Sequence, residues 1–389
     1  QSQCRELKEL EGLKVWRLTS LPSGRRTIKH KWVFRRKLTS TGTVERYKAR
    51  LVAKGFTQIA GLDFHETFSP VVRHETVRLF LATCASQGRT VYQADIGNAY
   101  LNAPLAEEVY IDIPDGYGDY LRRKPPDQLA PDEVHYLNTQ HRPGHVMLLL
   151  KGLPGLRQVG RNWHEMFTQW LQRNGFTQCP VDPCLFYTAS RDMFVSTHVD
   201  DCLFGPVDED TYQILLKKLE ADFKVTSGLL SWFLGIAITQ DGTHIVMSQE
   251  QYALRVLKRF SMDDCATVSS PMIISANSVE DNTGAVDLKL YRSAIGSLIH
   301  LAKWTRPDLA FAISYCARAM AKPTELYWTY VKRIFRYLRK TASHAIAYKK
   351  GVTASLIGYS DSDFANCSTS RKSISGFVFV VDKGPISWK

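Results

Sequence analysis

The sequence predicts an α+β fold whose strands pair as antiparallel hairpins, and three observations lead to this prediction. Apolar, β-branched runs separated by turn-like residues occur at 186–205 and again at 233–247, which is typical of hairpins. Residues 161–175 and 211–223 carry apolar side chains at helical spacing. The chain has 389 residues, 44% of them hydrophobic, so we expect more than one core and at least two domains.

The N-terminal half is predicted to combine basic strands with short helices. In chain order we predict strands at 31–37 and 47–56, a helix at 77–86, a strand that ends at Asp95, a loop at 115–144 and a helix at 161–175. The loop is predicted because residues 115–144 are rich in proline and charge. Gly175 is a plausible stop for the helix before it.

The C-terminal half is predicted to alternate hairpins and helices. In chain order we predict the hairpin at 186–205, a helix at 211–223, the hairpin at 233–247, a basic helix at 249–262, a linker at 263–289, helices across 291–341, and strands at 354–361 and 376–381. Residues 331–340 are strongly basic. They could lie along a nucleic-acid backbone or form a solvated face, and the pattern favours neither.

The charge of the chain favours a polyanionic partner. Fifty Lys and Arg residues stand against 38 Asp and Glu residues, a formal net charge of +12. Residues 25–54 are especially basic, and Trp32, Phe34 and Tyr47 interleave with the cations, as in surfaces that track a nucleic-acid backbone and stack its bases. The alternative is a merely soluble basic hairpin. No base-reading code is visible, so contacts would be mostly to phosphate and sugar.

The cysteines and the hydropathy argue against secreted and membrane proteins. The eight cysteines form no CxxC pair and no zinc-type spacing, which predicts buried thiols in a reducing compartment. No apolar run approaches the roughly 18–20 residues that a membrane span needs, and no secretory signal is visible. We therefore expect no membrane partner.

A pair of adjacent acids, Asp200 and Asp201, lies inside an otherwise apolar hairpin. Two neighbouring carboxylates repel each other and lose hydration there unless a cation such as Mg²⁺ compensates. Asp95 lies at the end of its own predicted strand, far from the pair in sequence, so only the tertiary fold could bring it beside them. Two ions roughly 3.5–4 Å apart on such a trio would suit phosphoryl transfer. The alternatives are a solvated Asp-Asp turn and an N-cap role for Asp95.

Ordered motifs surround these acids along nearly the whole chain. They are Lys31-Trp32-Val33-Phe34, residues 45–58, residues 66–72, Gln93-Ala94-Asp95, His198-Val199-Asp200-Asp201, Phe233-Leu234-Gly235-Ile236, and residues 291–298, 305–312 and 358–363. In this order they resemble the reverse transcriptase of copia-type (Pseudoviridae) LTR retrotransposons, followed by the start of the ribonuclease H domain. The resemblance implies an RNA-directed and DNA-directed DNA polymerase.

The resemblance also implies a right-hand architecture with an antiparallel palm sheet. The expected domains are fingers at 1–85, palm at 86–245, thumb start and linker at 246–290, a helical thumb or connection region at 291–350, and an incomplete ribonuclease H-like segment at 351–389. Asp361 matches the first metal-binding acid of ribonuclease H. The later acids of that site are missing, so we expect no ribonuclease H activity from this chain alone.

Residue roles follow from the same resemblance. Asp95, Asp200 and Asp201 match the catalytic trio that holds two Mg²⁺ or Mn²⁺ ions. The expected nucleotide-binding residues are Lys48 and Arg50 at the triphosphate, Tyr100 as the residue that excludes a ribose 2′-hydroxyl, and Gln158 beside the sugar. The expected primer-template residues are His198, Phe233, Leu234 and Gly235. The alternatives are core packing for Tyr100, a surface amide for Gln158 and a plain structural hairpin at 233–247.

Two positions depart from the family pattern. His198 stands where the family usually has tyrosine, and Gly160 where it usually has proline. The first could weaken primer placement or mark a decaying copy.

The implied partners are an RNA template, a DNA primer, dNTPs and other parts of a polyprotein such as integrase, ribonuclease H and capsid. The expected location is a cytoplasmic virus-like particle, with nuclear entry. The chain begins at Gln1 and is expected to be part of that polyprotein. Two rival functions stay open: a catalytically degenerate nucleic-acid-binding remnant, and a structural part of the particle.

Overall fold

The computed structural model describes residues 1–38, 43–139, 144–273, 284–364 and 373–389. The helices are α1 (Ser2–Gly12), α2 (His74–Ser86), α3 (Ala99–Asn102), α4 (Tyr117–Leu121), α5 (Pro131–Asn138), α6 (Val159–Arg173), α7 (Glu209–Asp222), α8 (Glu250–Arg259), α9 (Leu288–Trp304), α10 (Ala310–Ala317) and α11 (Glu325–Lys340). Short 3-10 turns lie at Gly55–Thr57, Pro126–Gln128, Pro307–Leu309 and Arg318–Ala321.

Within the described ranges the strands form five sheets, four of them wholly antiparallel. They are β1 (Trp16–Ser20), β2 (Thr27–Ile28), β3 (His30–Leu38), β4 (Val44–Ala53), β5 (Tyr92–Ile96), β6 (Pro104–Asp112), β7 (His145–Lys151), β8 (Phe176–Gln178), β9 (Leu185–Thr188), β10 (Met193–His198), β11 (Asp201–Pro206), β12 (Val225–Leu229), β13 (Trp232–Phe233), β14 (Ile236–Gln240), β15 (His244–Ser248), β16 (Ile346–Lys349), β17 (Leu356–Ser362), β18 (Ser375–Val381) and β19 (Gly384–Trp388). The parallel exception is the pairing of β2 with β6. The predicted α+β class with antiparallel sheets is confirmed.

The six-stranded central sheet has the order β12-β5-β11-β10-β9-β8. One face packs against aromatic side chains of α6 and α7, including Trp163, Phe167 and Tyr212. The opposite face packs against α2, where a Cβ on Gly205 would lie 2.4 Å from the Cys84 sulfur. Burial on both faces explains why β11 is apolar at nearly every position after its first residue instead of alternating.

A second sheet, β1-β7-β6-β2, shares a core with α1, where Leu7 and Leu10 are fully buried. The long hairpin β3–β4 extends from this core. Its base is buried at Leu51, whereas Phe34 and Tyr47 near its end are 61% and 65% exposed. The strands predicted at 31–37 and 47–56 are thus observed, with Phe56 beyond the second strand.

The loop predicted at 115–144 is wrong, because this segment contains α4 and α5. Pro131 begins α5, and the Glu133 carboxylate accepts a hydrogen bond from the Ala130 backbone N–H at 3.0 Å, which caps the helix. Tyr117 and Tyr136 then bury their rings in the N-terminal core. Aromatic burial therefore outweighs the proline and charge content. Residues 140–143 lie outside the described part of the chain.

The hairpin predicted at 233–247 is present but more complex. Leu234 and Gly235 have φ of 49° and 85°, so the chain turns back between β13 and β14, and residues 233–238 are not one strand. The second turn, at Asp241, joins β14 to β15 within the range predicted for the hairpin. A distant strand that the sequence did not suggest, β16, completes the sheet.

The helices α8 to α11 form a separate core. Three arginines of α11 bind backbone or side-chain oxygens of residues 264–270: Arg333 donates to Ser270 Oγ at 3.0 Å, Arg336 to the Ala266 carbonyl at 2.6 Å, and Arg339 to the Cys265 carbonyl. Much of the basic surface predicted at 331–340 is therefore engaged within the chain. Of the linker predicted at 263–289, residues 274–283 lie outside the described residues.

The C-terminal strands β17-β18-β19 form their own sheet, and β19 also packs on α2. Val381 and Ile386 share a core with Val77 and Phe80 of α2. The packing therefore connects residues 373–389 to the rest of the molecule. It also connects α2 to elements that lie on both sides of the predicted domain boundary at residue 85. The predicted domain limits stay predictions.

The seven described cysteines are unpaired, and Cys84, Cys184, Cys202 and Cys316 are buried; Cys367 lies outside the described residues. Among the helices that the structure describes, none is long and apolar enough to cross a membrane.

Candidate active site

The structure brings the three predicted carboxylates to one end of the central sheet. Asp95 on β5 is the cross-strand partner of Asp201 on β11. Asp200 lies in the two-residue turn between β10 and β11, and its carbonyl accepts the Ile96 N–H at 2.8 Å. The neighbouring turn residue, Val199, has φ of 59° and accepts a 2.7 Å hydrogen bond from the Trp163 indole. The turn that carries Asp200 is thus fixed from both sides.

The pKa of Asp201 is raised by burial and by the two acids beside it. Asp95 and Asp200 are exposed, whereas Asp201 is partly buried. Burial, and then the charges of Asp200 and Asp95, raise the pKa of Asp201 from 3.8 to about 6. Burial and the same cluster of charges, with that of Asp201, also raise the pKa of the neighbouring Cys202 thiol. The end of the sheet therefore concentrates negative charge that a cation would relieve.

These residues fit divalent cations that a substrate helps to bind. Among the described residues, no three His, Cys, Asp or Glu side chains lie close enough to enclose a metal ion. Mg²⁺ commonly takes only one or two carboxylates, and water and substrate phosphates supply its other ligands. Two exposed carboxylates beside a half-buried one match that donor set better than a closed structural site. Asp95 and Asp200 present the accessible carboxylates of this cluster.

Tyr100 lies beside the acids on the short helix α3. Its ring is half-buried and packs against both the N-terminal and the central cores. Burial raises the pKa of Tyr100, and the charge of Asp200 adds to the effect, which places the phenol near that carboxylate. Core packing and a role beside the nucleotide sugar are therefore compatible at this position.

Lys48 and Arg50 lie on β4, opposite Arg35 and Val33 of β3. Lys48 is half-buried and Arg50 is exposed. Both cations act to lower the pKa of Glu6 on α1, although burial and the nearby Glu9 raise it overall. The basic face of β4 is therefore directed toward α1.

Comparisons with known proteins decide the family. A family model described as reverse transcriptase (RNA-dependent DNA polymerase) matches residues 13–123 and 133–274, more than half of the chain. The chain belongs to the reverse transcriptase family.

Named relatives agree with the family model. Retrovirus-related Pol polyproteins from transposons RE2 and RE1 of Arabidopsis thaliana are each 34% identical to this chain, over 100% and 98% of its length. That from transposon TNT 1-94 of Nicotiana tabacum is 33% identical over 99%. The chain spans 25–28% of the length of these relatives. The copia-type resemblance is confirmed.

One solved structure aligns with 100% of this chain and with 55% of its own chain. It is a structure of the foamy viral protease-reverse transcriptase in complex with double-stranded DNA. The TM-score is 0.48 and the identity 14%, which is too weak a likeness to support an argument.

Gln158 is 1% exposed, so the surface-amide alternative is wrong. Its Oε1 accepts from Gln58 Nε2 at 3.0 Å, and its Nε2 donates to the Asp63 carbonyl at 2.9 Å. Gly55 and Gly155 bring these segments together, since a Cβ on either would lie 2.2 Å from a backbone carbonyl oxygen. Contact between Gln158 and a nucleotide sugar would require these bonds to rearrange.

The predicted primer hairpin at 233–247 is only partly accessible. The Phe233 side chain is 3% exposed and belongs to the core, whereas Leu234 and Gly235 lie at a partly exposed turn. Sequence reasoning missed Trp232, which is 48% exposed at the same tip. Its signal was a second aromatic residue beside Phe233 in the same short strand. Gln93 Oε1 accepts the Trp232 N–H at 3.3 Å, which ties the tip to β5.

His198 closes the hairpin opposite Asp201. The ring is half-buried, and its Nδ1 is buried without a hydrogen-bond partner among the described residues. Burial lowers the pKa of His198, although the negative charge of Asp200 acts to raise it. A mainly neutral ring at neutral pH can stack on a base, which is compatible with the predicted primer-template role of His198.

Asp361 lies on β17, which is exposed along its whole length. Its Oδ1 accepts the Ser362 N–H at 2.9 Å. Its assignment to a ribonuclease H site stays a prediction.

The charge cluster leads to a stability prediction for Asp201. Its folded pKa of about 6 exceeds the roughly 3.9 of an unfolded aspartate, so the metal-free protein loses stability as the pH rises from about 4 through 6. Asp201→Asn cannot ionise and should raise the melting temperature at pH 8, with the difference vanishing near pH 4. Differential scanning fluorimetry in EDTA measures both values. An equal shift at both pH values would show that packing, not charge, causes it.

Proposed function

We propose that this chain is an RNA-directed and DNA-directed DNA polymerase that adds deoxynucleotides to a DNA primer. The convergence of Asp95, Asp200 and Asp201 at one end of the central sheet is the observation that supports this most strongly. Family membership supports the same reaction class. In the reaction the primer 3′-oxygen forms a bond to the α-phosphorus, and the bond from that phosphorus to the pyrophosphate oxygen breaks.

Asp95 and Asp200 would hold two Mg²⁺ or Mn²⁺ ions, with Asp201 in a deeper position behind them. When bound, such ions increase the nucleophilicity of the attacking hydroxyl and neutralise charge on the departing pyrophosphate. Lys48 and Arg50 would contact the triphosphate, where a guanidinium group can form two parallel hydrogen bonds to phosphate oxygens. The protein contribution is then mainly positioning and electrostatic stabilisation.

The long hairpin β3–β4 would carry part of the template-primer. Its cross-strand pairs place Arg35 with Lys48 and Val33 with Arg50 on one face, and Phe34 and the exposed ring of Tyr47 on the other. Cations suit phosphate contacts, and exposed aromatic rings suit stacking of unpaired bases. Binding to a primer-template should therefore weaken steeply as the salt concentration rises.

Primer extension on matched RNA and DNA templates tests the proposed function. We expect extension on both templates and its loss when EDTA removes divalent cations. Soluble protein that binds both duplexes with salt-dependent affinity but extends neither would contradict the proposal and favour the binding-only remnant.

Tyr100→Ala should relax discrimination between deoxyribonucleotides and ribonucleotides. The half-buried ring lies near Asp200, where it would occupy the space that a 2′-hydroxyl needs. The ratio of kcat/KM for dCTP to that for rCTP should fall by about tenfold or more, since removal of a steric block chiefly helps the larger substrate. Tyr100→Phe is the matched control and should keep the selectivity. An unchanged ratio in Tyr100→Ala would remove this residue from the gate.

A further inference from the structure

Two residues, Gly97 and Asn98, connect the strand that carries Asp95 to the helix that carries Tyr100. Asn98 has φ of 58° and ψ of 37°, a left-handed conformation that non-glycine residues adopt only at a cost in free energy. The Gly97 N–H donates to the Lys224 carbonyl at 2.7 Å, and the Leu101 N–H to the Asn98 carbonyl at 2.8 Å. The geometry of this turn sets the distance between the acid and the aromatic ring.

A carboxylate 89 positions earlier in the chain holds this turn. Glu9 Oε1 on α1 accepts a hydrogen bond from Asn98 Nδ2 at 2.7 Å. The same oxygen lies 3.3 Å from Lys224 Nζ, and the Lys224 carbonyl binds Gly97. Glu9, Asn98, Gly97 and Lys224 thus form a closed ring of contacts around the turn. Leu10, fully buried beside Glu9, anchors the helix that supplies the carboxylate.

The hydrogen bond to Asn98 is the stronger part of this ring. The Lys224 side chain is 78% exposed, and exposed ion pairs add little stability. The Asn98 contact is short and partly buried, and a charged acceptor strengthens it. Burial acts to raise the pKa of Glu9, but the bonds from Asn98 and Lys224, with the charges of Lys224 and Lys48, outweigh it and hold the pKa below its usual range.

We propose that Glu9 is a positioning residue for the nucleotide site: through Asn98 it fixes the turn between Asp95 and Tyr100, and so sets nucleotide affinity and sugar selectivity. The inference rests on the proposed function, because it assigns Tyr100 and the acids to one substrate. Lys48 strengthens the inference, since a cation expected at the triphosphate lies near the same carboxylate. Glu9 touches no substrate in this scheme and acts only through the turn.

The test compares Glu9→Ala with Glu11→Ala. Glu11 lies on the same helix and also accepts from a lysine, Lys124, but its partners are on the α4 side of the N-terminal core. Glu9→Ala should raise the KM for dCTP by roughly tenfold, lower dCTP-over-rCTP selectivity severalfold, and leave kcat nearly unchanged. Glu9→Gln, which keeps an acceptor for Asn98, should restore most of both values. Glu11→Ala should change neither.

A structural role alone would lower kcat and soluble yield without changing the selectivity ratio, and that result in Glu9→Ala would overturn the inference. Amide hydrogen exchange of residues 96–101 supplies a readout that needs no activity. We expect faster exchange there in Glu9→Ala than in wild type or Glu11→Ala. If the wild-type protein extends no primer, the proposed function is refuted whatever the exchange data show. If hydrogen exchange at residues 96–101 is the same in Glu9→Ala as in wild type, the positioning role is refuted separately.

Discussion

Asp95→Asn or Asp200→Asn is expected to reduce nucleotide incorporation by about 10³-fold or more while primer-template binding stays intact. The substitution keeps the size of the side chain and removes one negative charge from an exposed position. A neutral amide is a poor ligand for Mg²⁺, so the metal-dependent step should fail. Binding depends on cations elsewhere and should be unchanged or slightly tighter. Single-turnover extension and fluorescence anisotropy measure the two quantities.

Asp210→Asn is the matched control, because Asp210 is an exposed acid in the first turn of α7, outside the trio. It should leave both quantities unchanged. If Asp95→Asn lost binding and turnover to the same extent, the acids would be structural. Equal activity of Asp95→Asn and wild type would reject the site altogether.

Arg78→Met should destabilise the protein by about 3–5 kcal/mol. Arg78 is 1% exposed, and its guanidinium donates to the Ile386 carbonyl at 2.7 Å and the Lys303 carbonyl at 2.6 Å. It also lies 3.9 Å from the centre of the Trp388 ring. Methionine fills a similar volume but leaves the buried carbonyls without donors, which costs more than the bonds themselves contribute. Urea denaturation measures the loss.

Arg73→Met provides the comparison, since Arg73 is exposed just before the same helix and should tolerate the change to within about 0.5 kcal/mol. If both variants unfolded at the same urea concentration, the link between α2 and the C-terminal strand would add nothing to stability. A loss confined to Arg78→Met would show that β19 is part of the same cooperative unit as α2.

Local patterns were enough to predict the hairpin that carries Asp200 and Asp201. Its apolar strands and polar bend are contiguous in sequence, and continuous apolar, β-branched runs on both sides of the bend mark them. Helices α6 and α7 followed from their spacing for the same reason. That Asp95 lies beside Asp200 and Asp201 could only be a hypothesis, because the order of strands in a sheet leaves no local signal in the sequence.

Long-range partners account for what the sequence did not show. Arg78 and Ile386 are separated by 308 positions, and Glu9 and Asn98 by 89. Nothing in the sequence around any of these residues indicates which distant residue it contacts. The burial of Gln158 and Phe233 also came from tertiary packing, and it changed the expected accessibility of two predicted site residues.

RNA-templated incorporation of a single dNTP onto a DNA primer tests the polymerase assignment most directly. The assay uses wild type in EDTA, then with Mg²⁺ or Mn²⁺ restored, and Asp200→Asn under the same conditions. We expect incorporation by wild type only with the metal and none by the variant. Soluble wild-type protein that binds the primer-template and incorporates nothing with either metal would contradict the assignment.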